Sequence, residues 1–521
     1  MSLPSLQRLL PPALALGLLA APLAAGDQLV VLRVFDAEDN QTRLEVLNRS
    51  TGTQTVLSSA SASVVSSLAS ENGDAVAFVE RDLDTDEDSI ALARLPGGES
   101  TIIPLPEEAW PFIVGVDPTG RYATLVETPT SFLTTLYVAD GRTGELHVLS
   151  GFGDEPWLLV DAPSIRFGPR GRFLTLVATT DLLERTAYLY DLENDELIDA
   201  GALVDPVGET TYAEFGPAGR ALYLDRGDGV GGPATDLFAL DLRTRETTRL
   251  NEPAQPAAQV FSSITVSPRG RWLAYSSDEE TDGVFELFGV DLRTGARRKL
   301  SPPLGADDGV FPLPSFPASN EIAEFTEDES AVLFFVRRGD SGVSELYRAD
   351  LRGGLPTNLS EATGLTGILS LELDPAGRFL ALRVNSPQAD SISLYLHDFA
   401  SGATRQLSPD GSDGGVIGAN FAFSANGRAL VYTWSPGDGS GREIYHLDLR
   451  SDLTTRVNEP LAAPLPASAF FALSRGGREV LYAGTLESPT ASQLAARDVL
   501  TGVHQVLTTE GSTVAIEVVK D

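Results

Sequence analysis

The sequence predicts an all-β fold, a β-propeller of about ten four-stranded blade repeats. Three observations predict it. A period of about fifty residues runs along almost the whole chain. Strand and turn signals follow one another in a fixed order within each period. The composition is rich in turn formers, with 49 Gly and 33 Pro in 521 residues, as many short strands require.

The clearest unit is SSITVSPRGRWLAYSSDEETDGVFELFGVDLRTGARRKLS, residues 262–301. Alternation at Ile264 and Val266 marks a first strand. Ser267-Pro268-Arg269-Gly270 marks a turn, in which Pro presets φ and Gly accepts a positive one. A strand over 272–276 follows, then a polar loop and a third strand over 286–292. The turn Arg293-Thr294-Gly295 leads to a fourth strand ending at Leu300. Four short strands joined by tight turns are what one blade needs.

The turn position recurs at Gly73, Gly120, Gly171, Gly219, Gly270, Gly377, Gly427 and Gly477, with FTEDESAVLFFV centred on Glu329 filling the place between Gly270 and Gly377. The third strand repeats as LYVADGRTG, YLYDLEND, LFALDLRTR, LFGVDLRTG, LYRADLRGG, LYLHDFASG, IYHLDLRSD and LAARDVLTG. Nine units carry the turn position, and residues 27–57 supply a tenth that begins one strand late. The segment 513–519 is one strand left over, which predicts that it completes the first blade and closes the fold. One large ring is favoured over two smaller ones. The proline-rich connection 302–320 is the place where the chain would divide.

The N-terminus reads as a signal peptide over 1–26: Arg8, an apolar run over 9–23, and small residues up to Gly26 before Asp27. The expected location is therefore periplasmic or extracellular, with no membrane insertion after cleavage. Cysteine is absent, which excludes disulfides, thiol catalysis and thiolate-held zinc. The formal charge of −35 repels nucleic acid and anionic membrane surfaces.

The recurring SPRGRWLAYSSD and ELFGVDLRTG resemble TolB-type propeller repeats over residues 27–521, without the α/β domain that precedes the propeller in TolB. The resemblance implies a bacterial cell envelope.

Few residues point to chemistry. Asp140, Asp191, Asp241, Asp291, Asp350, Asp398, Asp448 and Asp498 each precede a hairpin turn and read as acceptors for turn N–H groups. Arg121, Arg172, Arg220, Arg271, Arg378 and Arg428, each after a turn glycine, read as contacts between blades. Asp82, Asp84, Asp86 and Asp88 alternate along one loop, as oxygen ligands for calcium would, although the EF-hand pattern is incomplete. His147, His397, His446 and His504 are the only histidines, and no third ligand for zinc stands near His397 and His446. No G-x-S-x-G elbow occurs.

The leading expectation is thus a non-enzymatic scaffold that binds another envelope or extracellular protein. The alternative is a channel-centred propeller hydrolase or lactonase with a bound divalent cation, whose site draws single residues from several blades. A second alternative is a carbohydrate-binding propeller using Trp110, Trp157, Trp272 and Trp434.

Overall fold

A computed structural model describes residues 29–520 apart from 37–39, 50–52, 71, 96–98, 107–111, 128–133, 153–154, 181–183, 205–207, 228–233, 253–257, 313–320, 340–342, 387–390, 410–414, 438–440, 459–470, 475, 485–492 and 508–511. The segment expected to be a signal peptide, Trp110 and most of the proline-rich part of the 302–320 connection lie outside the described residues.

The chain is all-β, with helix among the described residues confined to Ala162–Ser164, Ala200–Val204 and Leu359–Thr363. The sixth repeat shows the unit: Val260–Val266, Trp272–Ser277, Glu286–Asp291 and Ala296–Lys299 pair antiparallel in sequence order. Its second and third strands are buried at every position. Short apolar runs such as LAY and LFGV are what a strand covered on both faces requires. The described strands form nine hydrogen-bonded sheets, most of them four-stranded. One sheet of eight strands divides into two units of four, joined only by the parallel bridge Ile392–Val416. Ten units therefore repeat along the chain and are numbered here in sequence order.

The first unit is built from both ends. Ser512–Lys520 pairs antiparallel with Leu29–Asp36, which continues to Gln41–Asn48 and Thr53–Val56. This is the pairing expected from the unpaired strand at the C-terminus.

The cores lie between sheets. Leu29, Val31 and Val46 of the first sheet pack on Val76, Phe78 and Ala91 of the second. Val30, Leu32 and Val34, pointing the other way by strand alternation, pack on Leu481, Leu494 and Ala496 of the tenth. Each intervening pair of consecutive sheets shares a core of its own; Trp272 and Leu287 of the sixth sheet, for example, meet Val332 and Phe334 of the seventh. The succession of packed faces thus returns to its start.

The turn positions behave as the repeat implies. Gly270 donates its N–H to Ser267 O at 2.8 Å with φ of 71°. Glu329 takes the same left-handed conformation, φ of 56°, and donates to Thr326 O at 2.8 Å, at a cost a glycine would avoid. At Gly120 the restriction is also steric: with φ of +68°, an added Cβ would stand 2.2 Å from Ala75 Cβ on the neighbouring unit. Gly120→Ala is therefore expected to destabilise by about 2 kcal/mol or more. Gly283→Ala, at φ of +76° with nothing within 4 Å, carries only the conformational part, and urea unfolding of both variants separates the two terms.

The strand aspartates accept turn N–H groups as expected; Asp291 Oδ1, for instance, accepts from Arg293 at 3.0 Å and Thr294 at 3.2 Å. The arginines after the turn differ from expectation. Arg172 pairs with Asp191 at 2.8 Å and Arg271 with Asp291 at 3.0 Å, within one sheet and not between sheets. Register explains it: Tyr122 lies opposite Asp140, and Trp272 opposite Asp291, so the preceding arginine reaches the aspartate at the end of its neighbouring strand.

Candidate functional site on the opening strands

The strands that open neighbouring units approach one another. Thr265 Oγ1 of the sixth unit accepts the N–H of Ile322 in the seventh at 3.2 Å. Counting five residues back from each turn position identifies one register place on these strands. It holds Leu68, Gly115, Arg166, Glu214, Thr265, Glu324, Glu372, Ala422 and Ala472 from the second unit to the tenth. Polar and ionisable groups fill this place continuously from the fourth unit to the eighth, and apolar or small residues fill the rest.

Glu324 (strand Glu324–Phe325) and Glu372 (strand Ile368–Leu373) have the same geometry. Glu324 Oε1 accepts the N–H of Leu373 on the next unit at 3.3 Å. Glu372 Oε1 accepts the N–H of Phe423 on the unit after that at 3.0 Å. Each carboxylate therefore satisfies an N–H on the exposed edge of the next sheet. Both residues are partly exposed.

Burial raises both carboxyl groups far above the usual range. Glu324 rises to about 7, through burial and the charge of Glu321, against the pull of the Leu373 N–H. Glu372 rises to about 8, through burial and the charge of Glu324, against the Phe423 N–H. Two acids that feel each other in this way titrate as a pair.

The same wall continues to Glu214 on Ala213–Phe215, whose Oε2 accepts the Tyr212 hydroxyl at 2.5 Å. Burial raises Glu214 and Glu321, and the positive charge of Arg166 opposes the rise in each. Burial and the nearby Glu214 charge push the Tyr212 phenol up strongly. One cation and four carboxyl groups thus interact across the openings of the fourth, fifth, seventh and eighth units. Groups balanced near neutrality can both give and take protons.

The residues singled out from sequence lie elsewhere. Asp82 Oδ1 accepts the N–H groups of Asp84 at 2.9 Å and Thr85 at 3.0 Å. Asp88 holds Arg81 through two bonds of 2.8 Å, and Asp86 adopts φ of 60°. Asp84 is exposed. Among the described residues, no three His, Asp or Glu side chains converge as a metal site. His397 Nδ1 meets Thr404 Oγ1 at 2.9 Å, whereas His446 Nε2 meets Gly477 O at 2.7 Å, so the two do not share a partner. Trp157, Trp272 and Trp434 are buried in the cores between sheets.

The glutamates of the opening strands escaped the sequence reading because each stands alone in an otherwise ordinary strand. Their signal was the shared register before the turn, visible only once the units are aligned on that turn.

No family model and no curated protein matches the chain. Solved structures do. Dipeptidyl peptidase 4 of Porphyromonas gingivalis is similar at 12% identity and a TM-score of 0.48, over 78% of this chain and 61% of that one. An oligogalacturonate lyase in complex with manganese is similar at 15% identity and a TM-score of 0.34, over 70% and 95%. TolB from Acinetobacter baumannii is similar at 17% identity and a TM-score of 0.27, over 67% and 82%. This chain thus spans about three fifths of the length of the peptidase.

The expectation of a non-enzymatic scaffold is corrected here. Interacting carboxyl groups raised by burial stand on neighbouring opening strands, an arrangement suited to acid–base chemistry and one that a passive scaffold does not require.

Proposed function

We propose that the protein is an exported enzyme, a one-ring propeller of ten units that performs hydrolysis by acid–base chemistry in its central channel. The observation that carries this reading is the pair Glu324 and Glu372, on successive opening strands, with carboxyl groups raised to about 7 and about 8. The single ring is supported by the cyclic succession of cores and by the strand Ser512–Lys520 completing the first unit. Export is supported by the apolar N-terminal run.

Near pH 7.5 the pair holds about one proton, so one member can serve as base while the other serves as acid. Glu324 takes a proton from water as the water oxygen bonds to the electrophilic carbon. Glu372 gives its proton to the leaving oxygen as the old bond breaks. Arg166 lies in the same wall and opposes the build-up of negative charge.

The test is turnover of a panel of chromogenic esters, lactones and glycosides by the mature chain. A bell-shaped pH–rate profile with its maximum between about 7 and 8 is expected, and Glu372→Gln should lower kcat by about 100-fold or more. No turnover across the panel, or equal rates from the wild type and a Glu324→Gln/Glu372→Gln double variant, would refute the reading.

A further inference from the structure

The opening strands of the second and third units, Ala62–Ala69 and Phe112–Val116, carry no ionisable residue, in a chain with 73 acidic and 38 basic ones. A second register place on the opening strands lies eight residues before the turn position. It holds Val65, Phe112 and Pro163 in the second, third and fourth units and Glu321 in the seventh. All four are exposed, Val65 by 51% and Phe112 by 64%. Glu321 acts electrostatically on Glu324, Glu214 and Tyr212, so this place belongs to the surface that carries the glutamates. One side of that surface is thus apolar where another is acidic.

Local structure turns these side chains outward. Val65 is the extra residue of a bulge, with Val64 opposite Glu80 and Ser66 opposite Val79, which takes it out of the alternation that would bury it. Phe112 opens its strand, opposite Val126. Ala62–Ala69 runs beside Phe112–Val116, and that strand beside Arg166–Phe167, so the exposed groups of the three units adjoin. Leu68 and Gly115 stand at the place that Glu324 and Glu372 fill in their own units and extend the apolar surface. A single exposed valine is ordinary, whereas apolar groups gathered at one place on touching strands mark a contact site. One or two side chains from each of three strands suit a hydrocarbon chain and fall short of the area that a stable protein contact buries.

We infer that Val65, Phe112 and Pro163 hold the saturated acyl chain of an uncharged ester whose polar end meets Glu324 and Glu372. Once ionised, Glu214, Glu321, Glu324 and Glu372 repel an anionic head group, and a glycoside offers such a patch little apolar surface to bury. This inference rests on the hydrolase reading only for the statement that the chain belongs to a substrate. The apolar site itself stands on the opening strands of the second to fourth units.

Hydrolysis of p-nitrophenyl acetate and p-nitrophenyl octanoate by the mature chain, below the micellar range, reads the acyl preference. kcat/KM should be about tenfold or more higher for the octanoate ester, since each methylene buried adds a favourable increment. In Val65→Ser/Phe112→Ser that preference should largely disappear. Displacement of a neutral fluorescent dye by octanol, and separately by free octanoate, reads the site without turnover. Octanol should bind more tightly than octanoate, and the serine variant should weaken octanol binding by about tenfold. Glu324→Gln/Glu372→Gln should lose turnover and keep octanol binding, which separates the two readings. Equal rates on the two esters, no octanol binding, or equal octanol affinity in the wild type and the serine variant overturns the inference. So does a dimer in sedimentation that the serine variant dissociates, since the patch would then join two copies of the chain. Octanol binding lost in the serine variant, with no ester turned over, would refute the hydrolase reading and uphold the apolar site.

Discussion

Raising the pH from 6.5 to 8.5 will destabilise the wild-type protein, and Glu324→Gln/Glu372→Gln will remove most of that dependence. In the folded chain these two carboxyl groups hold their protons to about 7 and about 8, against 4.5 for an ordinary glutamate. The folded state therefore binds more protons than the unfolded state between those limits, and stability falls as pH rises through the window. The contribution is fully present below about 4.5 and is lost as the pH passes 7 and then 8.

The raised carboxyl groups of Glu214 and Glu321 act in the same direction, while the remaining shifted groups titrate outside the upper part of this window or oppose the effect. His397 and His446 are pushed down by burial, so they add stability as pH rises toward 6.5 and nothing beyond it. Asp398 and Asp498, held at about 2 chiefly by Arg378 and Arg478, lose their contribution only in acid. Above pH 6.5 the two glutamates are thus expected to dominate. At about 1.4 kcal/mol per unit of pKa displacement, the change should reach a few kcal/mol and move Tm by several degrees. A flat Tm over 6.5–8.5, or an equal slope in the double variant, would contradict the assignment.

Removing residues 509–521 is expected to be the most damaging truncation of the chain. Ser512–Lys520 pairs antiparallel with Leu29–Asp36 from Leu29 to Phe35. Without it, the edge of the first unit is bare, while Val30, Leu32 and Val34 still face the tenth sheet and Leu29 and Val31 the second. The loss should exceed about 5 kcal/mol, comparable with the whole margin of an ordinary domain. Scanning calorimetry should show a Tm lowered by ten degrees or more, and size-exclusion should show association through the open edge. Adding a peptide of residues 509–521 should reverse that association. A truncated chain that melts like the full one would refute the closure.

Much of the fold was legible because local rules and the overall structure coincide. Ser267-Pro268-Arg269-Gly270 needs a positive φ at one place, and the chain marks that place with glycine in eight of nine units. Even the exception at Glu329 was found from its flanking strands. The partner of the turn arginine was misread because sequence spacing does not reveal cross-strand register, which sets Arg121 beside Asp140. The candidate site was hidden for a related reason. A lone Glu in AEF or LEL is unremarkable along the chain, and only the approach of successive units brings Glu214, Glu321, Glu324 and Glu372 into one electrostatic neighbourhood.

The pairing of Leu29–Asp36 with Ser512–Lys520 also bears on the order of events in the cell. One of the first strands to leave the ribosome finds its partner only when the last has been made. Until translation is nearly finished, every intermediate is an open arc with an unpaired edge at each end, and neither end can lock early. The first unit therefore acquires its final rigidity in a single late step.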